Sequence, residues 1–394
     1  MYENTELSPS TTTTSYMANI CDTTLLSPSL TLPQPPANFF GRDVIIDDLL
    51  CLVERFASLT LFGAGGIGKS AIALMLLHHD RIAARFGEHR HYMRCDGLTH
   101  SLDGFLCRLS EAVGAHHLRD LTQLQSHLSS SPCILVLDGV DSFLDPLASG
   151  AAEIATAIGE LGRCQNVCLL ATSRMDVKIP DFRHIEVPTL SADGARDAFH
   201  SCCCLGRSGV VDNILAELDF HPLSIDLLAG VVRENGWNEA KLLGTWNYGK
   251  TNILKVTGRQ SLEDNIISIL SAPTIRELGT IALEALEALA AFPNGVKESK
   301  LENMFPGITG IGEAANTLCK FSLMYRQDGF VKMLSPFRLY FLEPMQPMVP
   351  HSGSDKAHGF VAENIQYARR DVVSFGLPPA KIRLCSSSYP SVAF

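Results

Sequence analysis

The chain has 394 residues, 46% of them hydrophobic, and its 32 basic and 42 acidic side chains leave a formal net charge of −10. This length exceeds one small domain, and the acidic balance counts against a nucleic-acid partner gripped along its phosphates. No basic, apolar leader opens the sequence, no Lys or Arg precedes Arg42, and no apolar run reaches the ~18 residues of a membrane span. A cytoplasmic protein without membrane association is expected. The 12 cysteines lack the spacing of a disulfide framework or a C-x-x-C metal site, which fits reduced thiols.

In chain order, residues 1–38 are rich in Ser, Thr and Pro and offer too little apolar surface to offset chain entropy, so a disordered leader is expected. A helix follows through Ile45, Ile46, Leu49, Leu50 and Val53. The segment Leu59–Phe62 is β-prone, and Lys69–Leu77 reads as a buried helix. A second strand is expected at His89–Arg94, with helices near 103–114 and 120–129. Cys133–Leu137 and Val167–Thr172 are continuous apolar runs, the pattern of strands buried on both faces, and Arg183–Val187 is a short last strand. Strands separated by helices predict an α/β fold with a parallel sheet sandwiched by helices. From Ser191 the pattern turns helical, over 191–203, 208–219, 222–234 and 236–246. A second helical block over 259–343 ends in two β-like pieces, Leu323–Arg326 and Phe330–Leu334, around Gln327-Asp328-Gly329. That order suggests a winged-helix module. The expected domains are therefore a leader over 1–38, an α/β nucleotide domain over 39–190, a helical subdomain over 191–255, a winged-helix-like domain over 256–343 and an irregular tail over 344–394.

The chemistry concentrates at Gly63-Ala64-Gly65-Gly66-Ile67-Gly68-Lys69-Ser70, which matches G-x-x-x-x-G-K-[ST] between a predicted strand and a predicted helix. Gly63, Gly65, Gly66 and Gly68 let backbone N–H groups, with that of Ile67, close around phosphate oxygens. Lys69 sets a compact charge on the outer phosphates, Ser70 offers a hydroxyl to Mg²⁺, and the helix through Ala71 aims its N-terminus at the same anion. The ligand class is thus a nucleoside triphosphate with Mg²⁺. Asp138 ends an apolar strand, where such a site needs an acid for the metal. Asp141 either orients an attacking water or caps a helix. Arg174 follows the next apolar strand, at the ligand edge of a parallel sheet, within reach of a γ-phosphate. The pairs His78-His79, His89/His91 and His116-His117 lack partners at metal spacing and read as surface or capping groups.

The order of Phe39-Phe40-Gly41-Arg42-Asp43, the phosphate loop, Leu137-Asp138 with Asp141, Thr172-Ser173-Arg174 and Phe220-His221-Pro222-Leu223 resembles STAND-type switch ATPases. Within that class the chain looks like the NB-ARC and NACHT-like proteins of fungi, plants and animals. The stretches Ala291–Val296 and Val331–Arg338 look like the winged helix of fungal members. The resemblance spans residues 39–343. It implies that Gly41 and Arg42 lie near adenine and ribose, that Pro222 packs on the base, and that Arg174 senses the γ-phosphate. It further implies a closed ADP state, a homo-oligomeric ATP state and an effector partner, while Asp138-Gly139, where plant members often show paired acids, points to slow ATP hydrolysis. The chain departs from the family at His221, where glycine is usual, and at Leu334 and Ser335, where the family often has His and Asp. AAA+ or origin-recognition ATPases and a non-hydrolysing scaffold are the competing classes.

Overall fold

The computed structural model describes residues 32–95, 101–249, 270 and 272–342. The expected leader as far as residue 31 and the expected tail lie outside the described residues. Among the described residues, the first half of the chain alternates strand and helix. Its elements are α1 (Asp43–Val53), β1 (Leu59–Phe62), α2 (Lys69–His78), α3 (Asp80–Phe86), β2 (Arg90–Arg94), α4 (Leu102–Ala112), α5 (Leu121–Ser129), β3 (Cys133–Asp138), α6 (Asp141–Leu144), α7 (Ala151–Gly162), β4 (Val167–Ser173) and β5 (Arg183–Glu186). The strands form one parallel sheet in the order β2-β3-β4-β1-β5.

Side chains alternate across this sheet, and that decides where each helix sits. Ile134, Val136, Cys168 and Leu170 face one layer, which contains Leu49, Leu50, Ile72 and Leu76 of α1 and α2. Leu135, Leu137, Val167 and Leu169 face the other, with Phe105, Leu124, Ile154 and Ile158 of α4, α5 and α7. Both central strands are buried along their whole length, as their unbroken apolar runs require. The helix α7 has no counterpart among the expected elements, although Ile154, Ile158 and Leu161 recur at helical spacing and are buried.

The helices α8 (Ala192–Cys202), α9 (Gly209–Glu217), α10 (Pro222–Glu234) and α11 (Glu239–Gly249) follow. Ser191 and Ser208 cap the first two by accepting from the Gly194 and Val211 N–H groups. This group has its own core, with Phe199, Leu215, Leu228 and Trp246 fully buried.

The C-terminal module contains α12 (Pro273–Glu277), α13 (Thr280–Ala290), β6 (Val296–Lys297), α14 (Leu301–Met304), α15 (Ile311–Lys320), β7 (Met324–Gln327), β8 (Phe330–Met333) and α16 (Ser335–Leu342). The hairpin β7–β8 turns on Asp328 and Gly329, with φ of +53° and +77°, the two-residue turn that matches strand twist. It gains a third antiparallel strand, β6, whose two residues are too short to read from sequence. Leu286, Leu318, Val331 and Phe337 join the same apolar cluster as α1 and α2, so the module is packed into the body of the molecule. No helix among the described residues is long and apolar enough to cross a membrane.

Candidate nucleotide-binding site

The parallel register brings the carboxyl ends of the strands level. Arg94 pairs with Asp138, Asp138 with Thr172, and Phe62 with Ser173, and the glycine loop leaves β1 beside them. An open parallel sheet binds ligands along this edge. Gly66 and Gly68 hold φ of +76° and +100°, backbone that a side chain would strain. At Gly66 a Cβ would also lie 2.7 Å from the Leu223 side chain.

Lys69 is buried, and its Nζ donates to the Gly63 and Ala64 carbonyls at 2.8 and 2.9 Å. Burial pushes its ammonium down to about 8, while Asp141 and Asp138 nearby pull the other way. An anion held at the loop would favour the charged form. Asp138 ends β3 among three hydroxyls. Its Oδ1 accepts from Ser70 at 2.6 Å and from Thr172 at 2.5 Å, and its Oδ2 accepts from Tyr92 at 2.6 Å. Thr172 Oγ1 in turn accepts from the Gly139 N–H at 2.9 Å.

Asp141 and Arg174 come together as a pair. The carboxylate takes the Arg174 backbone N–H at 3.0 Å and its Nε at 2.7 Å. Asp141 opens α6 but makes no side-chain cap to it, so the carboxylate serves the arginine. Both residues line the cavity described below. The Arg174 carbonyl faces away and accepts from Ser322 Oγ of the C-terminal module at 2.5 Å.

Arg42 lines the cavity with its guanidinium turned to backbone oxygens, those of Pro188 at 2.8 Å and Ile67 at 2.9 Å. Burial lowers its pKa to about 10. Arg42 thus fastens the segment before α8 to the phosphate loop. At Gly41 a Cβ would meet Gly194 Cα at 2.8 Å, so two glycines let the chain entering α1 press against α8. Pro222, the first residue of α10, faces the cavity.

These groups surround a cavity of about 620 Å³. Gly65 to Ala71, Asp138 and Arg174 line one end, and Phe39, Leu190, Ala198, Pro222 and Leu223 supply an apolar wall. The residues fit a nucleoside triphosphate with a divalent cation. A glycine nest and a buried ammonium suit phosphate, one carboxylate with hydroxyls suits a hard cation, and the apolar wall suits a base. Lys69, Ser70, Ala71, Asp138, Asp141, Arg174, Arg42 and Pro222 all meet here. Sequence reasoning gave no role to Tyr92, to the Thr172 hydroxyl, or to Asn38, Arg94, Cys202 and Asp226, which also line or support the site. Tyr92 left no local signal, because only the pairing of β2 with β3 sets its phenol beside Asp138.

No protein-family model matches the sequence, and no curated protein matches it. Among solved structures, a Walker-type ATPase of Pyrococcus abyssi superposes with a TM-score of 0.58 at 13% identity, over 79% of this chain and 99% of that one. An Orc1 protein of Aeropyrum pernix, solved in complex with DNA, reaches a TM-score of 0.40 at 13% identity, over 78% and 93% of the two chains. A STAND protein of Pyrococcus horikoshii with a tetratricopeptide repeat sensor reaches 0.36 at 12% identity, over 90% of this chain and 49% of that one. The last two likenesses are too distant to bear argument. The first shows that the chain has the fold of a P-loop ATPase.

Proposed function

We propose that the chain is an ATP/ADP-binding switch of the STAND type, whose nucleotide state governs the packing of its helical and winged-helix-like parts. The observation that supports it is a single cavity walled by the phosphate loop, the Asp138 cage and the first turn of α10. A ligand there would touch the sheet and the helical subdomain together. Bound Mg²⁺–ATP supplies a transferable phosphoryl group and a divalent charge that offsets its phosphates. Lys69 would take up the outer phosphates, and Ser70 and Asp138 would hold the metal. Arg174 would answer the γ-phosphate by exchanging its bond to Asp141, and that release would free Asp141 for a water. Because Ser322 holds the Arg174 backbone, the exchange is felt in the C-terminal module. Slow hydrolysis, oligomerisation in the ATP state and an effector partner belong to the same proposal.

The test is calorimetric titration of ATP and ADP with Mg²⁺ into wild type and Lys69→Ala. Wild type is expected to bind both, and the variant at least tenfold more weakly. Equal binding by the two proteins would refute the site. A second reading, an AAA+-like motor on nucleic acid, draws on the helices and three-stranded sheet after residue 272. Stimulation of ATP turnover by DNA would favour it over the switch.

A further inference from the structure

His221 stands where the switch family has glycine, and it has partners in three parts of the molecule. The turn before it is strained. Asp219 and Phe220 hold φ of +50° and +54°, a region that side chains other than glycine seldom enter. Such a turn persists only where its surroundings over-determine it. On one side, the Asp219 carboxylate accepts from the backbone N–H of Ser335, which opens α16 of the C-terminal module. On the other side, the wholly buried His221 ring donates from Nε2 to the Gly65 carbonyl at 3.0 Å. Its Nδ1 is left to accept from Ser224 Oγ at 3.1 Å. The ring also stands edge-on to Phe337 of α16, with centroids 5.8 Å apart and planes at 63°.

One residue on, the Leu223 N–H donates to the Gly66 carbonyl at 3.3 Å. A Cβ at Gly66 would lie 3.1 Å from His221 Cε1, so the loop and the imidazole are in contact as well as bonded. A trans peptide is planar, with its C=O and N–H pointing to opposite sides. Drawing the Gly65 carbonyl toward His221 therefore turns the Gly66 N–H the other way, and both glycines line the cavity.

We propose that His221 is a positioning residue that sets the Gly66 N–H for phosphate and makes that setting depend on the docking of Phe337. Nucleotide affinity then follows the packing of the C-terminal module through one imidazole. This rests on the nucleotide-binding reading above.

The test uses the full chain with His221→Ala, His221→Gln, Phe337→Leu and the His221→Ala/Phe337→Leu double variant. Affinity for Mg²⁺–ATP and Mg²⁺–ADP is measured by calorimetry, and amide exchange of residues 63–70 is followed without nucleotide. His221→Ala is expected to weaken both nucleotides about tenfold, the size of one lost hydrogen bond. His221→Gln, whose amide can still donate to Gly65, should stay within about threefold of wild type. Phe337→Leu, remote from the cavity, should weaken binding about threefold, and the double variant should be no worse than His221→Ala alone. Exchange over 63–70 should quicken in His221→Ala and Phe337→Leu. Unchanged binding and exchange in Phe337→Leu, losses that multiply in the double variant, or a His221→Gln as weak as His221→Ala would each overturn the proposal. If His221→Ala does not fold, the Gln and Leu variants decide the matter between them. If wild type binds neither nucleotide, the nucleotide reading fails, and exchange still decides whether Phe337 controls the loop.

Discussion

Three hydroxyls converge on the Asp138 carboxylate, and they are not equivalent. Ser70 and Thr172 share Oδ1, while among the described residues Tyr92 alone satisfies Oδ2. Removing the Tyr92 hydroxyl should therefore cost about 1 kcal/mol of stability. Tyr92→Phe is expected to keep Mg²⁺–ATP binding within about threefold, whereas Asp138→Asn loses the dependence of binding on Mg²⁺. Titrations with and without the metal check both. The Asp141–Arg174 pair is half-sheltered, with side-chain exposures of 8% and 24%. Deleting one partner leaves the other charge poorly solvated, so the two alanine variants should couple by about 1–3 kcal/mol in a double-mutant cycle of unfolding. Additive losses would show the two residues acting separately. The functional residues named from sequence were those with a fixed place in a local motif. Tyr92 was not among them, because its partner Asp138 lies 46 positions away in sequence and only strand order makes them neighbours. Thr172 lay in such a motif, but its bond to Asp138, 34 positions away, was hidden for the same reason.

At the scale of elements, α7 was missed, whereas β3 and β4 were legible because burial on both faces forces unbroken apolar runs, and α2, α4 and α5 because strand-to-strand crossovers demand helices. The order β2-β3-β4-β1-β5 was not, since no residue records which strand lies beside which. Short elements escaped for a related reason. Val296 and Lys297 become a strand only through pairing with β8, and α6 is one turn held by its neighbours. The contact of Gly41 with Gly194 also joins segments far apart in sequence. Gly41→Ala must find room for a methyl against backbone at positive φ, and it is expected to cost about 1–3 kcal/mol. Chemical denaturation measures this, and a change below ~0.5 kcal/mol would show that α8 yields easily. A second long-range tie joins α6 to the C-terminal module. Asp145, 2% exposed, accepts from Thr274 Oγ1 at 2.6 Å and from the Thr274 N–H at 3.3 Å.

For the whole molecule, pH should act through histidines kept neutral. Burial pushes His221 down to about 4 against the opposing bond to Gly65, and burial with nearby His89 lowers His91 to about 4. Unfolded histidine titrates near 6.5. Between these values the unfolded chain binds protons that the folded chain refuses, so stability is full above about 6.5 and lost as pH falls toward 4. Melting temperatures at pH 7.5, 5.5 and 4.5 should fall in that order. Replacing His91 with Gln should flatten the fall, and an identical profile would assign the effect to other groups.

The bond from Ser322 to the Arg174 carbonyl has a mechanical side. A hydrogen bond gives way over a fraction of an ångström, whereas an apolar interface slides and peels. The grip on Arg174 is therefore brittle, set within a compliant contact. Tension applied through the C-terminal module should build with little extension and then release in one sharp step. That step is expected at higher force when ATP is present, and a smooth, nucleotide-blind yield in an optical trap would show that the grip transmits nothing.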